Sequence, residues 1–224
     1  MILDLGNGTG TLTFSAGSGL RFDRSGPVAP FAAELSLGIA VIDADGVAYA
    51  SNPFQLGSAT PGSGIAFSSG KTMRYGRLTL GNAHDSELVT LAVPLRAEYY
   101  DVSGFVVHTD DGCTSIGSAN FGTTARSPAG LATTPAIANV PLSCGDAGLT
   151  LSAPGQTGYA DLLVNLSAVD VSTSWGIITG ADLPWLQFDW TSDGTGLPDD
   201  DPTARATFGI YPGQHPVIFR REIY

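Results

Sequence analysis

The side chains able to do chemistry are few, and they fall in four places. The first is the stretch His84-Asp85-Ser86-Glu87. An imidazole, a carboxylate and a hydroxyl are the parts of a nucleophilic triad. Triads, however, assemble from separate elements, because neighbours along a chain rarely point at one another. The stretch therefore reads as a solvated turn. Of the other two histidines, His108 and His215, the first precedes Thr109-Asp110-Asp111-Gly112 at a strand end and reads as a strand residue rather than a ligand.

Acidic clusters form the second place: Asp43 with Asp45, Asp110 with Asp111, and Asp193 with Asp199, Asp200 and Asp201. Calcium takes about six to eight oxygens, many from carboxylates on flexible loops. Asp193, Asp199, Asp200 and Asp201 are the candidate calcium ligands, although SDGTGLPDDDP lacks the alternating acids and closing Glu of an EF-hand loop. The competing reading is turn chemistry, in which Asp accepts hydrogen bonds from its own downstream amides. A hairpin turn at Asp45-Gly46 accounts for Asp43 and Asp45 without any ion.

The third place is Pro184-Trp185-Leu186-Gln187-Phe188-Asp189-Trp190. Read as a strand, it puts Leu186, Phe188 and Trp190 on one face and Trp185, Gln187 and Asp189 on the other. The first set is the natural core face, since aromatic rings bury large areas. Trp185 and Asp189, if exposed, could stack on and hydrogen-bond a sugar.

Cys113 and Cys144 form the fourth place, 31 positions apart. They permit one disulfide, which would stabilise by roughly 3–4 kcal/mol on the chain-entropy estimate. Two unrelated buried thiols are the alternative. No cysteine spacing suits a metal, and no phosphate-cradling loop is present: GNGTG near the start has no helix after it.

The elements that must position these groups are strands. In FAAELSLGIAVID, Leu35, Leu37, Ile39 and Val41 share a face. In VTLAVPLRAEYY, Val89, Leu91, Val93, Leu95, Ala97 and Tyr99 do the same, with Pro94 marking an edge or a bulge because it has no amide to donate. DLLVNLSAV aligns Leu162, Val164, Leu166 and Ala168, and HPVIFRREIY reads as a last strand. Gly/Ser/Thr/Pro clusters separate the strands, and the longest stretch without pattern is about 115–138, inside the Cys113–Cys144 loop. The expected fold is all-β, an antiparallel, immunoglobulin-like β-sandwich in two packed β units. The units divide as 1–112 and 113–224, with a single continuous β domain as the alternative.

Composition narrows the function. Ten Lys and Arg stand against 21 Asp and Glu, a formal charge of −11, which repels phosphate backbones and anionic lipid. Nucleic-acid binding is thereby excluded as an expectation. No apolar run approaches the length of a transmembrane helix, so insertion into a membrane is not expected. The start, MILDLGNGTGTLTF, has neither a basic nor an apolar signal region, so an export signal is expected upstream of Met1.

Four blocks carry a family likeness: RYGRLTLGNAHDSELVTLAVPLRAEYYD, GFVVHTDDGCT, PWLQFDW and DPTARATFGIYPGQHPVIFRREIY. They resemble the C-terminal domain of unknown function in MshQ-like proteins, which are encoded with the MSHA type IV pilus biogenesis system of Gram-negative bacteria. The likeness runs from about residue 8 to residue 224 and is most specific over 74–114 and 201–224. One departure stands out: where the family pattern reads Asn-Ala-x-Gly-Ser-Glu, this chain has Asp85 at the Gly position. The resemblance implies an extracellular location at the cell surface or pilus and a role in pilus biogenesis or cell adhesion. It offers no catalytic residue. The expected function is a non-catalytic structural or assembly module with other pilus or surface proteins, such as minor pilins, as partners. The alternative is an adhesin domain binding a glycan or host receptor, with calcium as a possible aid.

Overall fold

The computed structural model describes residues 2–4, 10–12, 26–40, 46, 53–60, 62–66, 72–192 and 196–209. Apart from two single-turn 3-10 segments, Ser118–Asn120 and Pro184–Leu186, the regular elements among them are strands. The fold is an all-β sandwich.

Two short strands, β1 (Ile2–Asp4) and β2 (Gly10–Leu12), pair antiparallel with each other. A longer ribbon follows. Its outgoing arm is β3 (Phe31–Ala32), β4 (Glu34–Leu35) and β5 (Leu37–Ile39), and its return arm is β6 (Phe54–Leu56), β7 (Ile65–Ala66) and β8 (Thr72–Met73). The register Ile39↔Phe54, Leu35↔Ile65 and Phe31↔Met73 makes these one interrupted hairpin. The alternation expected here holds, with Leu35, Leu37 and Ile39 half-buried between exposed Ser36, Gly38 and Ala40. Val41, Asp43 and Asp45 lie outside the described residues, as do His215 and the expected final strand HPVIFRREIY.

The packed part begins at β9 (Gly76–Leu80), followed by β10 (Ala83–Asp85), β11 (Leu91–Ala92), β12 (Leu95–Tyr100) and β13 (Phe105–Val107). Then come β14 (Phe121–Ser127), β15 (Pro135–Ile137), β16 (Leu149–Leu151), β17 (Gly158–Val164), β18 (Val171–Thr173), β19 (Gly176–Ile178) and β20 (Thr203–Phe208). One layer has the order β10-β20-β17-β14, and its β10–β20 pair is parallel, whereas the other strand pairs among the described residues are antiparallel. The other layer joins β13-β12-β9 to β11-β16-β15. The join is made where Ala147 donates to the carbonyl of Leu95 (3.1 Å), Ala97 to Gly145 (2.8 Å) and Val93 to Leu149 (2.9 Å).

Period-2 alternation explains why these two layers close on each other. In β17, Gly158, Ala160, Leu162 and Val164 turn inward; across the core Leu91, Val93, Leu95, Ala97, Leu149 and Leu151 meet them. Pro94 interrupts the run as expected, splitting it into β11 and β12 and packing against Gly81, where an added side chain would crowd the proline ring at 3.2 Å.

Packing is shared across residue 112: β10 pairs with β20, β11 pairs with β16, and Leu78 and Leu95 share one core with Ile116, Leu162 and Phe208. Strands from both sides of that point bury a single apolar layer. One expectation needs correcting: the 115–138 stretch is not structureless. It holds β14 and β15 and contributes buried Ile116, Phe121, Thr123 and Leu131. Its small polar residues hide the strand pattern, and a register shift between Thr123 and Ala125 breaks the alternation.

Candidate functional site

The aromatic segment 184–190 is positioned by two anchors. Leu186 is buried at the end of the 3-10 turn, with a methyl group so near Gly76 that an added side chain there would crowd it (3.2 Å). Beyond it, Phe188 and Asp200 exchange backbone hydrogen bonds at 3.2 and 3.1 Å, tying the segment to the Asp199–Asp201 run. Because residues 184–186 form a turn rather than a strand, the expected two-faced split fails: Trp185 is 65% exposed on its own, and Gln187 points inward to Asp201.

Phe188 and Trp190 complete a cage around Arg77. The guanidinium carbon sits 3.7 Å from the Phe105 ring centre and 5.0 Å from those of Phe188 and Trp190. Its charge is met by Glu98, which accepts at 2.9 Å from Nε and lies 2.8 Å from the second nitrogen. Arg77 and Glu98 are directly opposed in the β9–β12 register, so a cross-strand ion pair is covered by stacked rings. Sequence reading missed this group: the strand of Glu98 was recognised, but that of Arg77 was not, and the signal that could have found it was the short run Arg77-Leu78-Thr79-Leu80 ahead of it.

Beside the cage lies an open recess of about 390 Å³, lined among others by Pro27, Tyr75, Phe188, Asp189, Ser192 and Pro198. Burial raises the Tyr75 phenol above its ordinary pKa, so it stays a neutral hydrogen-bonding ring. Asp189 accepts from the Ser192 amide at 2.7 Å. Of the two residues expected to form one ligand site, Asp189 lines this recess and Trp185 does not.

The expected calcium ligands divide likewise. Asp200 accepts from the amides of Trp190 (2.9 Å) and Thr191 (2.8 Å) and from the Thr191 hydroxyl (2.8 Å). Asp201 accepts from Leu166 at 2.9 Å and Gln187 at 3.0 Å. Asp193 lies outside the described residues, and among those described no three His, Cys, Asp or Glu side chains converge on a point that could hold an ion. Asp200 and Asp201 stitch separate segments together, accepting from residues that precede them in the chain rather than from their own downstream amides as in the turn reading.

The remaining titratable groups follow suit. The stretch expected as a solvated turn is only partly one: His84 and Asp85 end β10, paired with Thr207 and Phe208 of β20, and the turn follows, with Asp85 accepting from the Ser86 amide at 2.7 Å and the Ser86 hydroxyl from the Leu88 amide at 3.2 Å. His108 contacts Arg74 through Nε2 and stacks edge-on against Tyr99 at 5.2 Å. Burial, and after it the Arg74 charge, holds its imidazole below the usual range, against the opposing pull of Asp111 and Asp110. Asp111 is buried, which alone would raise its pKa. Hydrogen bonds from the Thr114 hydroxyl and from the amides of Thr114 and Cys113 outweigh that burial and hold the carboxyl below its usual value.

Cys113 and Cys144 are exposed thiols in the structure, so the alternative of two buried ones is set aside. At the opposite side of the sequence's expectations, an exposed apolar ribbon goes unannounced by any motif: the β18–β19 hairpin carries Ile177 (69% exposed) and Trp175, beside Val169 (72% exposed). Trp175 receives the guanidinium of Arg126 at 4.8 Å. The hairpin is fastened below by fully buried Asn165, which donates to the carbonyls of Val169 (2.8 Å) and Ile178 (3.0 Å).

Among comparisons with known proteins, the family model described as DUF6701, fourth domain, matches residues 74–223. That span takes in the cage, both cysteines, the whole of the packed part and the recess lining other than Gly26 and Pro27. No curated protein and no solved structure matches the chain.

Proposed function

We propose, from the premise that this chain belongs to the DUF6701 family through its fourth domain, that it is a non-catalytic structural or assembly module. Its setting would be an extracellular, pilus-associated surface protein of the MshQ-like, MSHA type. The observation that carries this reading is how the polar groups are used. Asp85, Asp111, Asp200 and Asp201 each accept hydrogen bonds from nearby amides, while Arg77, the most enclosed ion-paired cation among the described residues, is locked between Glu98 and three rings. Carboxylates held this way are acceptors that shape loops, and a cation held this way is a strut, neither being an acid or base poised over a substrate. The surface left for function is apolar and presented on a stiffly anchored hairpin at Trp175 and Ile177. Such features serve protein contacts.

The test is a pull-down of the purified chain against the minor pilins of its own operon, with wild type and Ile177→Asp compared. Capture by wild type and its loss in the variant are expected. Absence of capture with both would overturn the assembly role. A second reading, an adhesin domain for a glycan or host receptor, draws support from the recess beside Tyr75, Phe188 and Asp189. It predicts glycan-array binding that Asp189→Ala abolishes and Ile177→Asp leaves intact.

A further inference from the structure

The two cysteines, distant in sequence, are brought together by the backbone. Leu142 donates to the carbonyl of Thr114 at 2.9 Å, and Gly145 donates to that of Asp111 at 3.3 Å. These two bonds bracket Cys113 on one segment and Cys144 on the other. Each cysteine is held in place. The Cys113 amide donates to Asp111 at 3.0 Å, and the Thr114 amide beside it does the same at 3.0 Å. Cys144 sits in a tight reversal in which Ser143 and Asp146 exchange hydrogen bonds, both 3.0 Å, around a two-residue loop. Both loop residues have positive φ, 50° at Cys144 and 75° at Gly145. That geometry suits Asn-Gly, and a cysteine there is disfavoured unless something else holds it.

We propose that Cys113 and Cys144 are a bridging pair, closed by thiol–disulfide exchange with an external disulfide. One cysteine, as thiolate, attacks a sulfur of the external disulfide, forming a mixed disulfide and expelling one thiolate. The second cysteine, having lost its proton, attacks the protein sulfur of that mixed disulfide and expels the other external thiolate. Two protein thiols are thereby oxidised to one S–S bond, and the external disulfide is reduced to two thiols that carry the two protons. The bridge closes the loop that holds β14 and β15, with buried Ile116, Phe121 and Leu131, onto the segment that follows β13. It fastens the strand that sequence alone leaves without a pattern. Redox state thus sets how firmly one edge of the β10-β20-β17-β14 layer is held.

The experiment incubates the full chain with oxidised glutathione and reads three things: intact mass, maleimide labelling after denaturation, and the denaturant midpoint. Expected are the loss of two hydrogens in a monomer, no labelled thiol, and a peptide containing both cysteines that separates on reduction. The folded-to-unfolded ratio should rise by roughly several hundredfold on oxidation, the order expected for a loop of this size. Cys113→Ser should erase the redox difference. Cys144→Asn, which suits the turn, should erase it too while remaining at least as stable as reduced wild type. Stable glutathione adducts on both cysteines, dimers linked between chains, or equal midpoints in the oxidised and reduced chains would each overturn the proposal.

Discussion

The ribbon of β3–β8 and the sandwich of β9–β20 are written in the same alphabet, and they come out differently. FAAELSLGIAVID and VTLAVPLRAEYY both alternate apolar with polar or small residues. In the sandwich that alternation buries Leu91, Val93, Leu95 and Ala97 against a second layer. In the described part of the ribbon only Ala33 reaches full burial, and Phe54 stays 49% exposed. Alternation therefore specifies a strand, and the partner sheet decides whether its apolar face becomes core. A two-stranded ribbon without such a partner is marginal in water.

The largest effect should come from emptying the sandwich. Phe208, wholly buried in β20, replaced by alanine, is expected to cost about 3–5 kcal/mol in denaturant unfolding. Asn165→Ala should come next. It leaves the carbonyls of Val169 and Ile178 without their donor, at about 1–3 kcal/mol, and loosens the hairpin that carries Trp175. A smaller effect is pH-dependent. His108 has a depressed pKa when folded, so folding favours its neutral form; that stabilisation is complete above the unfolded value of about 6.5 and is lost as pH falls through the folded one. His108→Gln should flatten the fall in melting temperature between about pH 7 and pH 5, and parallel curves for variant and wild type would refute this assignment. The smallest change is expected for Phe54→Ala in the ribbon, within about 0.5 kcal/mol. A ribbon substitution as costly as Phe208→Ala would erase the distinction between the regions.

How much of this was legible in sequence follows the same physics. The inward faces of β12 and of the end of β17 were readable because apolar residues, Leu95 and Ala97 in one and Leu162 and Val164 in the other, alternate with less buried neighbours. The Leu162–Ala168 pattern was readable only as far as Leu166: beyond buried Asn165 the chain turns, and Ala168 is exposed. β14 was hidden because Gly122, Thr123, Thr124 and Ala125 look like loop, and its burial comes from Phe121 and Thr123 packing on neighbours remote in sequence. At the candidate site, the aromatic segment was recognised but misread as a strand, since a 3-10 turn opened by Pro184 has no periodicity to show at that length. Asp200 and Asp201 were foreseen as backbone acceptors, but their donors, Trp190 and Thr191 for one and Leu166 for the other, lie upstream on other segments that a local turn pattern does not name. The Arg77 cage needed the register of two strands, which no single segment contains.

The account rests on the packed layers, formed from strands on both sides of residue 112, holding the fold, with the ribbon attached to them. Native-state amide hydrogen exchange measures this directly. Amides of β17 and β20 should exchange at least about a hundredfold more slowly than those of β5 and β6, and β11 and β16 should share the protection of β17. Equal protection in the ribbon and the sandwich, or separate stabilities for strands before and after residue 112, would contradict it.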